Sequence, residues 1–149
     1  MPKNEIIRVL LADDDQDDRT DFKEAFSTLK LKTAVETVKN GDELMKYLKD
    51  TANIIPHLLF LDLNMPKKSG LECLREIKEI ENLKNLTIVI YSTSSSENDV
   101  EETFLCGANI YLKKPAHLTV LKKALSHILT INWLYHTSDL SRDNFILQI

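Results

Sequence analysis

The chain has 149 residues, 43% of them hydrophobic, with 19 Lys and Arg against 23 Asp and Glu, so its formal net charge is −4. This length fits one ordinary domain, and we expect a single core with no room for a second module such as a DNA-binding domain. The acidic balance and the lack of a basic stripe argue against a nucleic-acid partner, and no run of about 18 apolar residues predicts a membrane span. Without a signal-peptide pattern or a disulfide framework, the chain is expected to be cytoplasmic.

The predicted elements alternate between short apolar strands and amphipathic helices. The strands are apolar runs of the kind buried on both faces, and the helices show apolar residues at helical spacing. Five strands alternating with five helices predict an α/β fold with a doubly wound parallel sheet. In chain order the predictions are a strand at 6–12, a helix at 17–29, a strand at 33–38, a helix around 44–48, a strand at 57–63, a helix at 71–80, a strand at 86–91, a helix at 97–105, a strand at 109–113 and a helix at 118–134.

Polar side chains stand at the ends of four of the five predicted strands. Asp13 and Asp14 follow the first strand, and Asp62 lies near the end of the third. Ser92 and Lys114 follow the fourth and fifth strands. Because crossovers in a parallel sheet are right-handed, all strand ends share one edge, which is where ligands bind. These residue types suit phosphoryl chemistry.

Six aspartates crowd residues 11–21, where Arg19 is the only cation. One interpretation is a solvated helix start, since aspartate is favoured at N-caps and in first turns. The other is a divalent-cation site, because such a cluster repels itself unless a positive charge compensates it. We interpret as helix-start and surface residues, rather than ligands, Asp15, Asp17, Asp18 and Asp21.

Four motifs, in order, resemble the receiver domain of two-component response regulators, of the stand-alone type. They are LLADDD (10–15), LFLDLNMP (59–66), VIYSTS (89–94) and YLKKP (111–115). The resemblance implies a flavodoxin-like sheet with five strands in the order 2-1-3-4-5 and five helices. It implies a receiver domain over residues 1–135 and a C-terminal extension over 136–149 that is not a separate domain. The apolar end of that extension could dock on its own domain, on a second copy or on a kinase.

In that strand order the first and third strands are neighbours, so Asp13, Asp14 and Asp62 come together. Three carboxylates near one point cannot all stay ionised without a cation. Oxygen ligands without His or Cys select a hard ion, and a site with room for water suits Mg²⁺ better than Ca²⁺. Mg²⁺ is therefore the expected cofactor.

Residue by residue, the resemblance implies that Asp62 is the phosphoacceptor, whose carboxylate attacks the phosphorus of a phosphohistidine. It implies that Asp14 binds Mg²⁺ directly, Asp13 mainly through water, and Asn64 through its backbone carbonyl. The ion would bridge Asp62 and the transferred group. Asn64 also stands, like Ser94, at a position thought to tune the lifetime of the phosphate.

The remaining roles concern Lys114, Ser92 and Tyr111. Lys114 would pair with a phosphoryl oxygen, and its bond to Pro115 is a candidate cis peptide. Lys113 points to the opposite face of the strand and lacks the proline neighbour. Ser92 would hydrogen-bond the phosphoryl group, and Tyr111 is either the aromatic switch or ordinary packing. The output surface would be the fourth helix, fifth strand and fifth helix.

The resemblance thus implies a single-domain response regulator that signals through protein contacts and is not an enzyme in the usual sense. Its partners would be a sensor histidine kinase or histidine phosphotransfer protein, a downstream protein target and, as a further candidate, a second copy of itself. A similar loop after the fourth strand and a similar C-terminal extension occur in stand-alone regulators whose partners include phytochrome-like kinases. Two alternatives stay open: a degenerate receiver that serves only for docking, and a Mg²⁺-dependent phosphohydrolase. Such hydrolases usually carry a second Asp where this chain has Asn64.

Overall fold

The computed structural model describes residues 6–134 and 145–147. Three predicted elements, at 33–38, 97–105 and 118–134, have the observed bounds, and the other boundaries shift by up to three residues, as helix and strand ends commonly do. A 3-10 turn at Glu81–Leu83 was not predicted. In chain order the elements are β1 (Ile7–Ala12), α1 (Gln16–Ser27), β2 (Thr33–Val38), α2 (Gly41–Lys49), β3 (Leu58–Leu61), α3 (Gly70–Glu79), β4 (Thr87–Ser92), α4 (Glu97–Leu105), β5 (Ile110–Lys113) and α5 (Leu118–Leu134).

The five strands form one parallel sheet in the order β2-β1-β3-β4-β5, which confirms the predicted fold and strand order. The chain leaves β1 for β2 on one side and returns through β3 on the other. The order therefore reverses between β1 and β3, where Ala12 pairs with Leu61. In such sheets the ligand site lies outside the carboxyl ends of the strands at this point.

The sheet is buried on both faces because its central strands, β1, β3 and β4, are mostly apolar, and β3 is apolar at every position. In β3, Leu58 and Phe60 pack into the core beneath α1 and α5, while Leu59 and Leu61 pack into the core beneath α2, α3 and α4. Alternation of side chains along a strand explains this division. Helices therefore cover both faces of the sheet, and the loops at the strand ends extend from this packed core.

Polar side chains cap the helices beside the sheet edge. Asp15 begins α1 by accepting the Asp18 backbone N–H, which agrees with its interpretation as a helix-start residue. Asn40, which stands before Gly41 in a pair typical of turns, caps α2 by accepting the Glu43 backbone N–H. Ser69 forms a capping box with Glu72 at the start of α3. These caps satisfy N–H groups that have no partner within the helix.

Residues 145–147 lie beside β5. Ile146 forms a parallel bridge with Tyr111, and Phe145 is fully buried. Residues 135–144 lie outside the described part of the chain, so the predicted boundary at residue 135 stays a prediction. No helix in the described ranges is both long and apolar enough to cross a bilayer.

Candidate functional site

Three carboxylates meet where β1 and β3 end. Asp13 and Asp14 follow β1 directly, and Asp62 follows β3. One carboxylate oxygen of each lies within 4.8 Å of those of the other two. Asp13 is fully buried, Asp62 is 5% exposed and Asp14 is exposed. The strand order thus brings together the three aspartates that the sequence placed at this edge.

Lys114 enters this cluster from the end of β5. Its Nζ lies 2.8 Å from Asp13 Oδ2 and 3.3 Å from Asp62 Oδ2. The side chain is only 9% exposed, and its ammonium lies 5.4 Å from the centre of the Tyr91 ring. Lys113, by contrast, is exposed, as strand alternation predicted. Lys114 therefore supplies positive charge to both buried aspartates.

The expected cis bond between Lys114 and Pro115 is wrong, because no cis peptide occurs in residues 6–134 and 145–147. A proline amide weakens the preference for the trans form without reversing it. Lys114 is held instead by its backbone N–H, which donates to the Ser92 carbonyl at 2.8 Å. The lysine reaches the acidic cluster from this trans arrangement.

Asp18 is a site residue that the sequence analysis left on the surface. Its Oδ2 lies 2.8 Å from Lys114 Nζ, in the first turn of α1. A signal was present, because Asp18 stands four residues before the buried Phe22, and residues four apart share one face of a helix. Asp18 thus faces the sheet edge, where it shares the lysine with Asp13 and Asp62.

Burial and like charge govern the electrostatics of the cluster. Burial raises the pKa of Asp62 to about 6, an effect that Lys114 opposes and Asp13 reinforces. Burial also raises the pKa of Asp13, against the hydrogen bond from Lys114. For Lys114, burial would lower the pKa, but the contacts with Asp13 and Asp18 outweigh it and raise the pKa. Folding therefore leaves these carboxylates short of positive charge.

The donor set fits a hard divalent cation. All three carboxylates offer oxygen, and neither His nor Cys belongs to the cluster found in the described residues. Asp13 Oδ2 is buried, and the Lys114 ammonium 2.8 Å away is the cation paired with it in the described residues. Asn64 is exposed, and its backbone N–H is directed at the Asp62 carboxylate, which lowers the pKa of Asp62. Whether the Asn64 carbonyl binds metal stays a prediction.

A chain of hydrogen bonds leads from Ser92 to Tyr111. The buried Ser92 Oγ accepts the Ser94 backbone N–H at 3.1 Å. The Ser94 carbonyl accepts the Tyr111 hydroxyl at 2.8 Å, and Ser94 Oγ donates to Asp99 at 2.6 Å. Tyr111 is 2% exposed, and burial raises the pKa of its hydroxyl. Tyr111 is thus both packed in the core and bound to the loop that follows Ser92.

Comparison with known proteins gives one consistent result. The family model described as the response regulator receiver domain matches residues 9–126. The chain is 32% identical over 124 residues to response regulator Rcp1 of Synechocystis sp., covering 80% of this chain and 84% of that protein. It is similar in structure to the phosphorylated cyanobacterial phytochrome response regulator RcpA, with a TM-score of 0.80, 34% identity, and coverage of 90% of this chain and 98% of that one. It is also similar to the Mn²⁺-bound form of Rcp1, with a TM-score of 0.76, 29% identity, and coverage of 91% and 99%.

Proposed function

The chain belongs to the response regulator receiver domain family, and on that premise we propose that it is a single-domain regulator phosphorylated on Asp62. Receiver domains are signalling domains rather than classical enzymes. The observation that carries the proposal is the meeting of Asp62, Asp13, Asp14 and Lys114 at one point of the sheet edge. Coverage of 84% of Rcp1 and 98% of RcpA supports the single-domain organisation.

The proposed reaction is transfer of a phosphoryl group from a phosphohistidine of a sensor histidine kinase or a histidine phosphotransfer protein. One oxygen of Asp62 attacks phosphorus as the phosphorus–nitrogen bond breaks, and the imidazole leaves with the electron pair and takes a proton from solvent. Lys114, 3.3 Å from Asp62 Oδ2, favours the ionised nucleophile and lies near the oxygens of the incoming group. Catalysis here is mainly positioning and electrostatic stabilisation.

We propose Mg²⁺ as the cofactor, bound by Asp13, Asp14 and Asp62 with help from the Asn64 carbonyl. When bound, it would offset the charge on the phosphoryl oxygens. The oxygen-only donor set supports a hard cation, and the exposure of Asp14 leaves space for water. The solved Mn²⁺-bound form of Rcp1 supports a divalent metal in a similar protein.

The signal would pass from Ser92 to Tyr111 and the surface formed by α4, β5 and α5. Ser92 is buried at the end of β4, where its hydroxyl can turn towards a phosphoryl group. A downstream protein that reads this surface is the proposed target. Because RcpA is described as a phytochrome response regulator, a phytochrome-like kinase is our first candidate partner. A cytoplasmic location is part of this proposal.

Intact-protein mass spectrometry tests the phosphoacceptor. Wild type incubated with acetyl phosphate and Mg²⁺ should gain the mass of one phosphoryl group, and Asp62→Asn should gain none. Asp17→Asn is the matched control, because Asp17 is an exposed carboxylate of the same acidic run. An unmodified wild type would leave a docking module as the better explanation.

A further inference from the structure

The last described residues of the chain, Phe145–Leu147, occupy the outer edge of the sheet, and we refer to them as the tail segment. The Phe145 ring centroid lies 5.4 Å from that of Phe104 in α4 and 5.9 Å from that of Tyr111 in β5. Phe145 is fully buried, whereas Ile146 is 36% exposed. The Leu147 backbone N–H donates to the Tyr111 carbonyl at 3.0 Å. The tail segment therefore binds through one aromatic anchor and backbone pairing.

β5 is an edge strand, so its outer side carries backbone groups that can pair with another extended segment. Adding a segment to such an edge is a common way to recognise a peptide, in which backbone bonds supply affinity and side-chain pockets supply specificity. Here Phe104 and Tyr111 form the pocket that holds the aromatic side chain. The cleft between α4 and the edge of β5 thus has both parts of a peptide-binding surface.

We propose that this cleft is a docking surface for an extended segment with one buried aromatic side chain, and that the tail segment is its resting occupant. Ten residues separate the end of α5 from Phe145, so the tail segment meets its own domain at a high effective concentration. A partner protein that presents a similar segment has to displace the tail segment before it binds.

This inference rests on the proposed function where it links docking to phosphorylation. Tyr111 is held by the Ser94 carbonyl at its hydroxyl and by Phe145 at its ring. Ser94 in turn donates its backbone N–H to Ser92, the residue that would turn towards a phosphoryl group. A rearrangement at Ser92 therefore disturbs the hydrogen bond that keeps Tyr111 against the tail segment. By reciprocity, a docked tail segment must weaken binding at the phosphorylation site by the same factor.

The first test measures occupancy of the cleft and does not involve phosphorylation. A fluorescently labelled peptide with the sequence of residues 141–149 is titrated into the full-length protein and followed by anisotropy. We expect the Phe145→Ala protein, whose own tail has lost its anchor, to bind the peptide at least about tenfold more tightly than wild type. Ile146→Ala is the matched control, because its side chain is partly exposed and its backbone pairing is kept. Equal binding by the wild-type and Phe145→Ala proteins would overturn the proposal.

Hydrogen exchange of the wild-type protein provides a readout that no folding defect of a variant can affect. The Leu147 amide should exchange slowly, at a rate independent of protein concentration. Fast exchange of the Leu147 amide would show that the tail segment is not docked and would overturn the proposal. Protection that grows with protein concentration would overturn it too, because it would show that the tail segment of a second copy fills the cleft.

The second test addresses the link to phosphorylation with beryllofluoride and Mg²⁺ as the probe. Binding of beryllofluoride to the wild-type protein should accelerate hydrogen exchange of the Leu147 amide. The Phe145→Ala protein should bind beryllofluoride several-fold more tightly than wild type. Unchanged Leu147 exchange in the loaded wild type would overturn the link. If wild type binds no beryllofluoride at all, the proposed function fails, while the peptide titration still decides the docking surface.

Discussion

Charge balance decides the chemistry of the site at the scale of single residues. Asp13, Asp18 and Asp62 share the ammonium group of Lys114, with distances of 2.8, 2.8 and 3.3 Å from Nζ to their Oδ2 atoms. One positive charge cannot offset three carboxylates, and burial makes the deficit more costly for Asp13 and Asp62. A divalent cation would correct it, so metal affinity and stability should both depend on these side chains.

Replacement of Asp62 by its neutral analogue should stabilise the metal-free protein at high pH. The pKa of Asp62 is about 6 in the folded protein against an ordinary value of 3.8, so folding favours the protonated form. Its contribution to stability is therefore fully present below pH 3.8 and is lost as the pH rises through 6. We expect Asp62→Asn to raise the free energy of unfolding by about 2 kcal/mol at pH 8 and to change it little at pH 4.

Urea unfolding at the two pH values, in the presence of a chelator, measures this difference. Asp17→Asn controls for the loss of one negative charge at an exposed position. If Asp62→Asn were less stable than wild type at pH 8, the ion pair with Lys114 would outweigh the cost of burial.

Metal affinity should separate Asp14 from Asp18, although both belong to the same acidic run. Asp14 belongs to the set of three carboxylates whose oxygens could hold one ion, whereas Asp18 is bound to Lys114. We expect Asp14→Ala to weaken Mg²⁺ binding by more than about tenfold, and Asp18→Ala by much less. Isothermal titration calorimetry with MgCl₂ measures both, and equal losses would show that the site is misplaced.

At the scale of secondary-structure elements, the start of α3 packs directly against the backbone that follows β3. Gly70 is the first residue of α3, and its backbone N–H donates to the Leu63 carbonyl at 2.9 Å. A Cβ atom at this position would lie 2.1 Å from the Asp62 carbonyl oxygen, so only glycine allows this close approach. The Ser69–Gly70 pair thus joins the helix cap to the backbone of Asp62.

Two glycine substitutions should separate damage to the site from general loss of stability. We expect Gly70→Ala to lower the free energy of unfolding by about 3 kcal/mol and to slow phosphorylation by acetyl phosphate, because the Asp62 backbone has to move. Gly107, which follows α4 with φ of 93°, is the control, since an added Cβ would meet only the flexible end of Lys78. Gly107→Ala should lower stability by about 1 kcal/mol through backbone strain. Its rate of phosphorylation, followed by intact mass where both variants are folded, should match wild type.

For the molecule as a whole, burial of Phe145 on its own domain bears on self-association. Because Phe145 already packs against Phe104 and Tyr111 of its own chain, the tail segment gains no further aromatic contact by binding a second copy. We therefore expect the full chain, before phosphorylation, to sediment as a monomer of 17.1 kDa. A version that ends at Tyr135 should also be monomeric. If the full chain sedimented as a dimer and the shortened version as a monomer, the residues after Tyr135 would join two copies. That result would support the homodimer.

Much of the molecule could be predicted because its signals are local. Continuous apolar runs identified the buried strands, and helical spacing identified the helices. The strand order came from the family resemblance rather than from spacing. Local signals are also ambiguous: asparagine before glycine is typical of a turn, yet the Asn40 side chain caps a helix.

The sequence by itself determined which side chains stand at the strand ends, because each follows an apolar run and all parallel strands point the same way. It could not determine which of them touch. Asp18 and Lys114 are 96 residues apart, and their contact depends on how α1 and β5 are placed around the sheet. The docking of Phe145 between Phe104 and Tyr111 is likewise a matter of packing between distant segments, which no spacing along the chain encodes.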